Sequence, residues 1–239
     1  MNHLRKKFAF GLGLFLAATA AFAGTPVRNG LVLYFPTVAL PVRDASGSRN
    51  NAQSSALVVP TSPSLVSMAQ THQLSYSVWI NPTSIPHEFP DLLSKGGNSQ
   101  PGPYGGYEFI LNINGDHDVL FVSGPFQCHA ETQIINTNLG QWVYIAFTID
   151  LDAQTMQWFI NGQPVASTID TGTFTDVNFD MPNNLYVAER DPAANNNRVN
   201  FDGQMREVML FNRALSANEV QLIFSTTGPN QATRGSTIK

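Results

Sequence analysis

The chain has 239 residues, 13 basic and 17 acidic side chains, 43% hydrophobic residues and one cysteine. Its mild acidity argues against nucleic acid or anionic membranes as partners, and its length suits one domain with a substantial core. Cys128 has no second cysteine to pair with, so the fold must hold by burial, with Cys128 as a small buried hydrophobe.

The first 23 residues read as an address. Arg5-Lys6-Lys7 precedes an apolar run from Phe8 to Phe22, and Ala21 and Ala23 supply small residues where a signal peptidase reads. This predicts an export signal over 1–23, with an uncleaved anchor as the alternative, and a secreted or periplasmic product. The mature chain retains 10 basic and 17 acidic side chains, a net charge of −7, and no stretch long enough to cross a bilayer. It divides into one domain over 24–225 and a flexible tail over 226–239.

From residue 30 onward, short apolar-alternating runs are separated by Gly, Pro, Asn, Asp and Ser, the punctuation of an antiparallel sandwich. Strands are predicted over 30–35, 56–59 and 74–81, the last placing Leu74, Tyr76, Val78 and Ile80 on one face and Trp79 on the other. Further strands are predicted over 92–95, then 107–113 and 119–122 as a hairpin around Asn114-Gly115-Asp116, with an edge pair at Ile134-Ile135. The run 142–149, WVYIAFTI, has no polar partner in its middle and reads as a central strand covered on both sides. Residues 156–160 return beside it, and Asn161-Gly162 is the strongest two-residue hairpin signal in the chain. Trp79, Trp142 and Trp158 lie inside these runs and read as packing residues.

Strands over 185–189 and 201–211 complete the set. The last, after Asp202-Gly203, leads through Asn212-Arg213-Ala214-Leu215 to Ser216, an N-cap with Glu219 in the capping-box position, and a short helix bearing Val220, Leu222 and Ile223.

That ending resembles laminin-G-like, concanavalin A-like jelly-roll domains of bacterial secreted proteins. Other blocks match in order: Val58-Val59-Pro60-Thr61-Ser62-Pro63-Ser64-Leu65, then Ser77-Val78-Trp79, then 92–97, 142–150, 159–165 and 185–188. The resemblance covers nearly the whole mature chain. It implies an all-β, antiparallel two-sheet sandwich, a jelly roll with one short C-terminal helix, and leaves the ligand open because lectins, glycanases, lyases and adhesion modules share this architecture.

Glycanases of this architecture need two carboxylates on one strand roughly 5 Å apart, and none of the six Glu begins a Glu-x-Asp-x-x-Glu run. Asp116-His117-Asp118 offers two carboxylates, but in an expected hairpin turn. The resemblance also points to a calcium loop. Asp44-Ala45-Ser46-Gly47-Ser48-Arg49-Asn50 is similar to the family's loop facing the last strand, which implies a calcium site of Asp44, Asn50 and Glu207. Arg206 stands where the family carries a carboxylate, so the alternative is an Arg206–Asp44 ion pair in place of the metal.

Two long polar loops, 96–106 and 189–200, are the expected ligand surface. Tyr104 and Tyr107 have the rings to stack on sugars, and Arg190, Asp191 and Asn195 the groups to bond hydroxyls. The expected function is a secreted, non-catalytic carbohydrate-binding or adhesion module of the cell envelope, with a glycan or a cell-surface protein as partner. The alternatives are a glycan-cleaving enzyme of the same fold acting through Asp116, Asp118 or Glu108, and a structural or protein-binding module.

Overall fold

The structure is a computed structural model that describes residues 25–38, 42–53, 57–84, 90–97, 105–111, 117–123, 126–131, 139–189 and 200–229. The expected export signal at 1–23, the Asn114-Gly115-Asp116 turn, Ile134-Ile135 and most of the expected tail lie outside these residues.

The strands form two antiparallel sheets. The first has the order β1 (Leu31–Thr37), β13 (Gly203–Phe211), β3 (Gln73–Pro82), β8 (Val143–Asp150), β9 (Thr155–Ile160) and β10 (Gln163–Val165). The second has the order β11 (Thr168–Thr171), β7 (Phe126–Glu131), β6 (His117–Ser123), β5 (Gly105–Ile110), β4 (Asp91–Gly97), β12 (Leu185–Val187) and β2 (Val58–Val59). Strands β7 and β11 have no counterpart among the expected elements. Polar residues alternate through the first, and all four residues of the second are exposed, so neither stands out as an apolar run.

The inward-facing side chains of both sheets build one core. Leu74, Tyr76, Val78 and Ile80 of β3 meet Tyr107 and Phe109 of β5, with Cys128 of β7 buried among them, as the alternation requires. Strand β8 lies between β3 and β9, and seven of its eight residues are buried. Val143, Ile145, Phe147 and Ile149 enter this core, while Tyr144 and Ala146 enter a second one on the outer face of the first sheet. That is why the run tolerates no polar face.

The second core is covered by the C-terminal helix α2 (Ala217–Thr227); among the described residues the other α-helix is the single turn α1 (Met68–Thr71). Ser216 Oγ accepts from the Glu219 amide at 3.3 Å, Glu219 Oε2 accepts from the Ser216 amide at 2.9 Å, and the capping box thereby satisfies two end donors. Arg213 clamps the same carboxylate at 2.6 and 3.0 Å. Val220, Ile223 and Thr227 form the buried stripe. The helix therefore runs two residues into the stretch expected to be a tail, and Thr227 is fixed there by accepting from Trp79 Nε1 at 3.0 Å.

Candidate functional site

Helix α2 ends where three polypeptide segments of the first sheet converge, and a cleft of about 690 Å³ opens there. Its floor is Trp79 of β3, nearly buried, with Phe224 of α2 stacked at 5.4 Å and Tyr144 of β8 tilted beneath at 5.4 Å. One wall is Trp142, half-buried, one residue ahead of β8. A further wall comes from the Asn161-Gly162 turn, through Asn161. Both of its residues have positive φ, 49° and 76°, as a tight hairpin with the natural strand twist demands. A Cβ at Gly162 would stand 2.8 Å from the Phe224 ring and 2.5 Å from Gln221 Oε1, so glycine is needed for the turn to press on the helix. Asn161 is locked by a 2.8 Å bond from its amide to the Tyr144 carbonyl and a 3.0 Å bond from the Tyr144 amide to its Oδ1.

Gln141, Asn161 and Ser225 give the aromatic cleft a polar rim, and the Arg206 guanidinium lies 6.0 Å from the centre of the Trp142 ring. Apolar faces with a few hydrogen-bonding groups can hold a small amphipathic ligand such as a sugar. Among the described residues that line it there is no carboxylate, histidine or cysteine.

The sequence profile of the concanavalin A-like lectin/glucanases superfamily matches residues 51–221. The chain belongs to that superfamily. No curated protein matches the sequence. Among solved structures, this superfamily member is similar to the binding domain of botulinum neurotoxin serotype C1, at 13% identity and a TM-score of 0.58, covering 85% of this chain and 53% of that one. It is also similar to the binding domain of botulinum neurotoxin DC in complex with rat synaptotagmin II, at 14% identity and a TM-score of 0.54, covering 84% and 53%. A third is a botulinum neurotoxin type C chain from a study of cell entry dependent upon interaction with two ganglioside molecules, at 14% identity and a TM-score of 0.51, covering 84% and 52%. This concanavalin A-like chain thus spans about half of each of those chains, and at such identities the likeness is one of fold.

None of the residues expected to contact a ligand is among the described residues that line the cleft. Tyr104, Arg190, Asp191 and Asn195 lie outside the described residues. Tyr107 is a correction: it is wholly buried, its ring packing at 6.1 Å from Phe109 and 6.2 Å from Phe179, because the alternation of β5 turns it into the core. The two expected loops also leave opposite ends of β4. Gly96 pairs with Gly106 at one end, whereas Asp91 bridges Asn200 at the other, a separation of roughly 20 Å for a seven-residue strand. Glu108, named in the enzymatic alternative, faces away from the core and is wholly buried, with Ser94 and not a second carboxylate directly opposite on β4.

The loop at Asp44 is organised by hydrogen bonds. Asp44 Oδ1 accepts from the Tyr34 and Ser46 amides at 2.9 Å each, and Oδ2 accepts from Ser46 Oγ at 2.8 Å and the Asn50 amide at 2.9 Å. The Asn50 side chain donates to the Val32 carbonyl and Ser64 Oγ and accepts from Ser62 Oγ. Four donors fill the four acceptor positions of the Asp44 carboxylate, so these side chains fit a loop stapled to the edge of β1 and do not fit an open oxygen shell for calcium. Asp44 and Asn50 are together, but Glu207 is at the far end of Tyr34, bonded to its hydroxyl at 2.7 Å. The expected Arg206–Asp44 pair is not formed. Arg206 turns instead to Glu207, 3.6 Å away, and to Trp142.

Two cleft residues escaped the sequence reading. The sequence places Trp142 in the covered strand, although Gly140-Gln141 just before it signals a chain entering from a turn. Phe224 follows the helix residues that the sequence marks, and nothing local shows what a helix end will face.

Proposed function

We propose that this chain is a non-catalytic carbohydrate-binding module acting in the cell envelope or extracellular space. The aromatic cleft carries the reading: Trp142 and Phe224, over a floor of buried Trp79, supply the apolar faces on which a pyranose ring stacks, and Gln141, Asn161 and Ser225 supply donors and acceptors for its hydroxyls. The basic start and apolar run at the N-terminus support export. No helix among the described residues is long and apolar enough to cross a membrane. The receptor-binding domains of similar fold lend support in a general way, since they show that this architecture serves recognition.

The test is a glycan array followed by calorimetric titration of wild type and a Trp142→Ala variant. Binding to one oligosaccharide class that falls at least about tenfold in the variant, or about 1.4 kcal/mol, is the expected result. A blank array with one envelope protein captured would favour the protein-binding reading. Release of new reducing ends from a polysaccharide by the wild type would replace binding with cleavage.

A further inference from the structure

We infer that the ligand of the cleft carries a carboxylate, bound by Arg206 beside the Trp142 wall, so that the module selects acidic over neutral sugars. This rests on the carbohydrate-binding reading and narrows its ligand. Arg206 lies on β13 directly across from Trp79, the cleft floor, and both point to the outer face of the first sheet. Its guanidinium lies 6.0 Å from the Trp142 ring centre, so the charged head sits against a residue that lines the cleft, although Arg206 is not itself among the lining residues.

The hydrogen-bonding capacity of that head is largely unspent. A guanidinium has five N–H donors in a planar fork that matches a carboxylate. Here Nε is buried with no partner, and the nearest carboxylate oxygen, Glu207 Oε1, is 3.6 Å from a terminal nitrogen, too far for a hydrogen bond. The other Glu207 oxygen accepts the Tyr34 hydroxyl at 2.7 Å, which holds that carboxylate away from closer pairing. Nε is closed to solvent, so an arriving carboxylate would be met by the terminal nitrogens, whose N–H donors remain to be used. The Arg206 side chain is 23% exposed, enough for such a group to approach. The aromatic walls favour a ring over an extended peptide as the body to which the carboxylate is attached.

The experiment titrates the protein with oligogalacturonate, oligomannuronate, hyaluronan hexasaccharide and sialyllactose, each paired with its carboxyl-reduced counterpart, at fixed ionic strength. A polyglutamate peptide serves as the acidic non-sugar probe. Wild type should prefer at least one acidic sugar by tenfold or more over its neutral counterpart. Arg206→Gln should bring that pair within about twofold, and Arg206→Lys should fall between, since it keeps charge but not the fork. Trp142→Ala should weaken both members. Melting curves confirm that the variants are folded. Equal binding of both members by wild type, or an acidic preference kept by Arg206→Gln, overturns the inference and leaves the carbohydrate reading standing. Polyglutamate bound as tightly as the best sugar also overturns it, and binding to no probe removes both.

Discussion

Tyr34 donates its phenolic hydrogen to Glu207 Oε2 at 2.7 Å, across 173 residues of sequence, and the pair is buried on the outer face of the first sheet. Glu207 sits at a bulge in β13 with a left-handed φ of 52°, a conformation uncommon for a residue with a Cβ. Burial pushes its carboxyl above the ordinary range, outweighing the opposing pull of Tyr34 and Arg206. The folded state therefore holds the proton more tightly than the unfolded one. Stability from this group falls as pH rises from the ordinary carboxylate pKa through the raised folded value, and the cost stays constant above it. Glu207→Gln keeps an acceptor for Tyr34 and removes the charge, so it should raise the melting temperature at pH 7 by about 2–4 °C, equivalent to about 1 kcal/mol. The gain should shrink as pH is lowered through that window, and a loss of stability at pH 7 would show that the charged form is needed.

Glu219 behaves in the opposite sense. The Arg213 fork, and then the Ser216 cap, hold its carboxyl down to about 2. Its contribution is complete above the ordinary carboxylate pKa and is lost as pH falls toward 2. Glu219→Gln should lower stability by about 1 kcal/mol at pH 7, the usual size of a lost cap interaction, with wild type and variant converging in acid. Denaturant melts at pH 7, 4 and 2.5 check this, and a constant difference across the series would assign the effect to packing.

The core offers two contrasting substitutions. The Phe147 ring is wholly buried, 4.5 Å from Trp158 and 5.7 Å from Phe109, so Phe147→Ala should cost about 3–5 kcal/mol through lost burial and the cavity left behind. The Tyr76 hydroxyl is buried without a hydrogen-bond partner, and Tyr76→Phe should be neutral or stabilising by up to about 1–2 kcal/mol. Reductant should leave the melting temperature unchanged, since buried Cys128 is the chain's one cysteine. Equilibrium unfolding in urea measures all three.

Asp44 is expected to act as a structural staple. Asp44→Ala removes an acceptor for four donors and should cost about 2 kcal/mol or more, with the 44–51 loop losing amide protection from exchange. With those acceptor positions filled, roughly 10 mM Ca²⁺ should leave the melting curve unchanged. A rise equivalent to about 1.4–2.7 kcal/mol, the linkage expected for a dissociation constant between about 10⁻³ and 10⁻⁴ M, would show that the loop opens to hold the ion.

Local chemistry in the sequence determined the elements: alternation marked β3, unbroken apolarity marked β8, Asn161-Gly162 marked its turn, and Ser216 with Glu219 marked the start of α2. Such signals act over two to four residues, where side-chain period, φ preference and capping are set by the chain itself. Even the order of motifs was enough to place the chain in its superfamily. Tertiary structure alone decided which face each residue of these elements would meet. It turned Tyr107 into the core and left Trp142 at a cleft edge. It also drew Arg206 toward Trp142, and set the anchor residues of the two long loops at opposite ends of β4. Those outcomes depend on sheet order and register between strands far apart in sequence, and no local preference encodes a partner that arrives from 173 residues away.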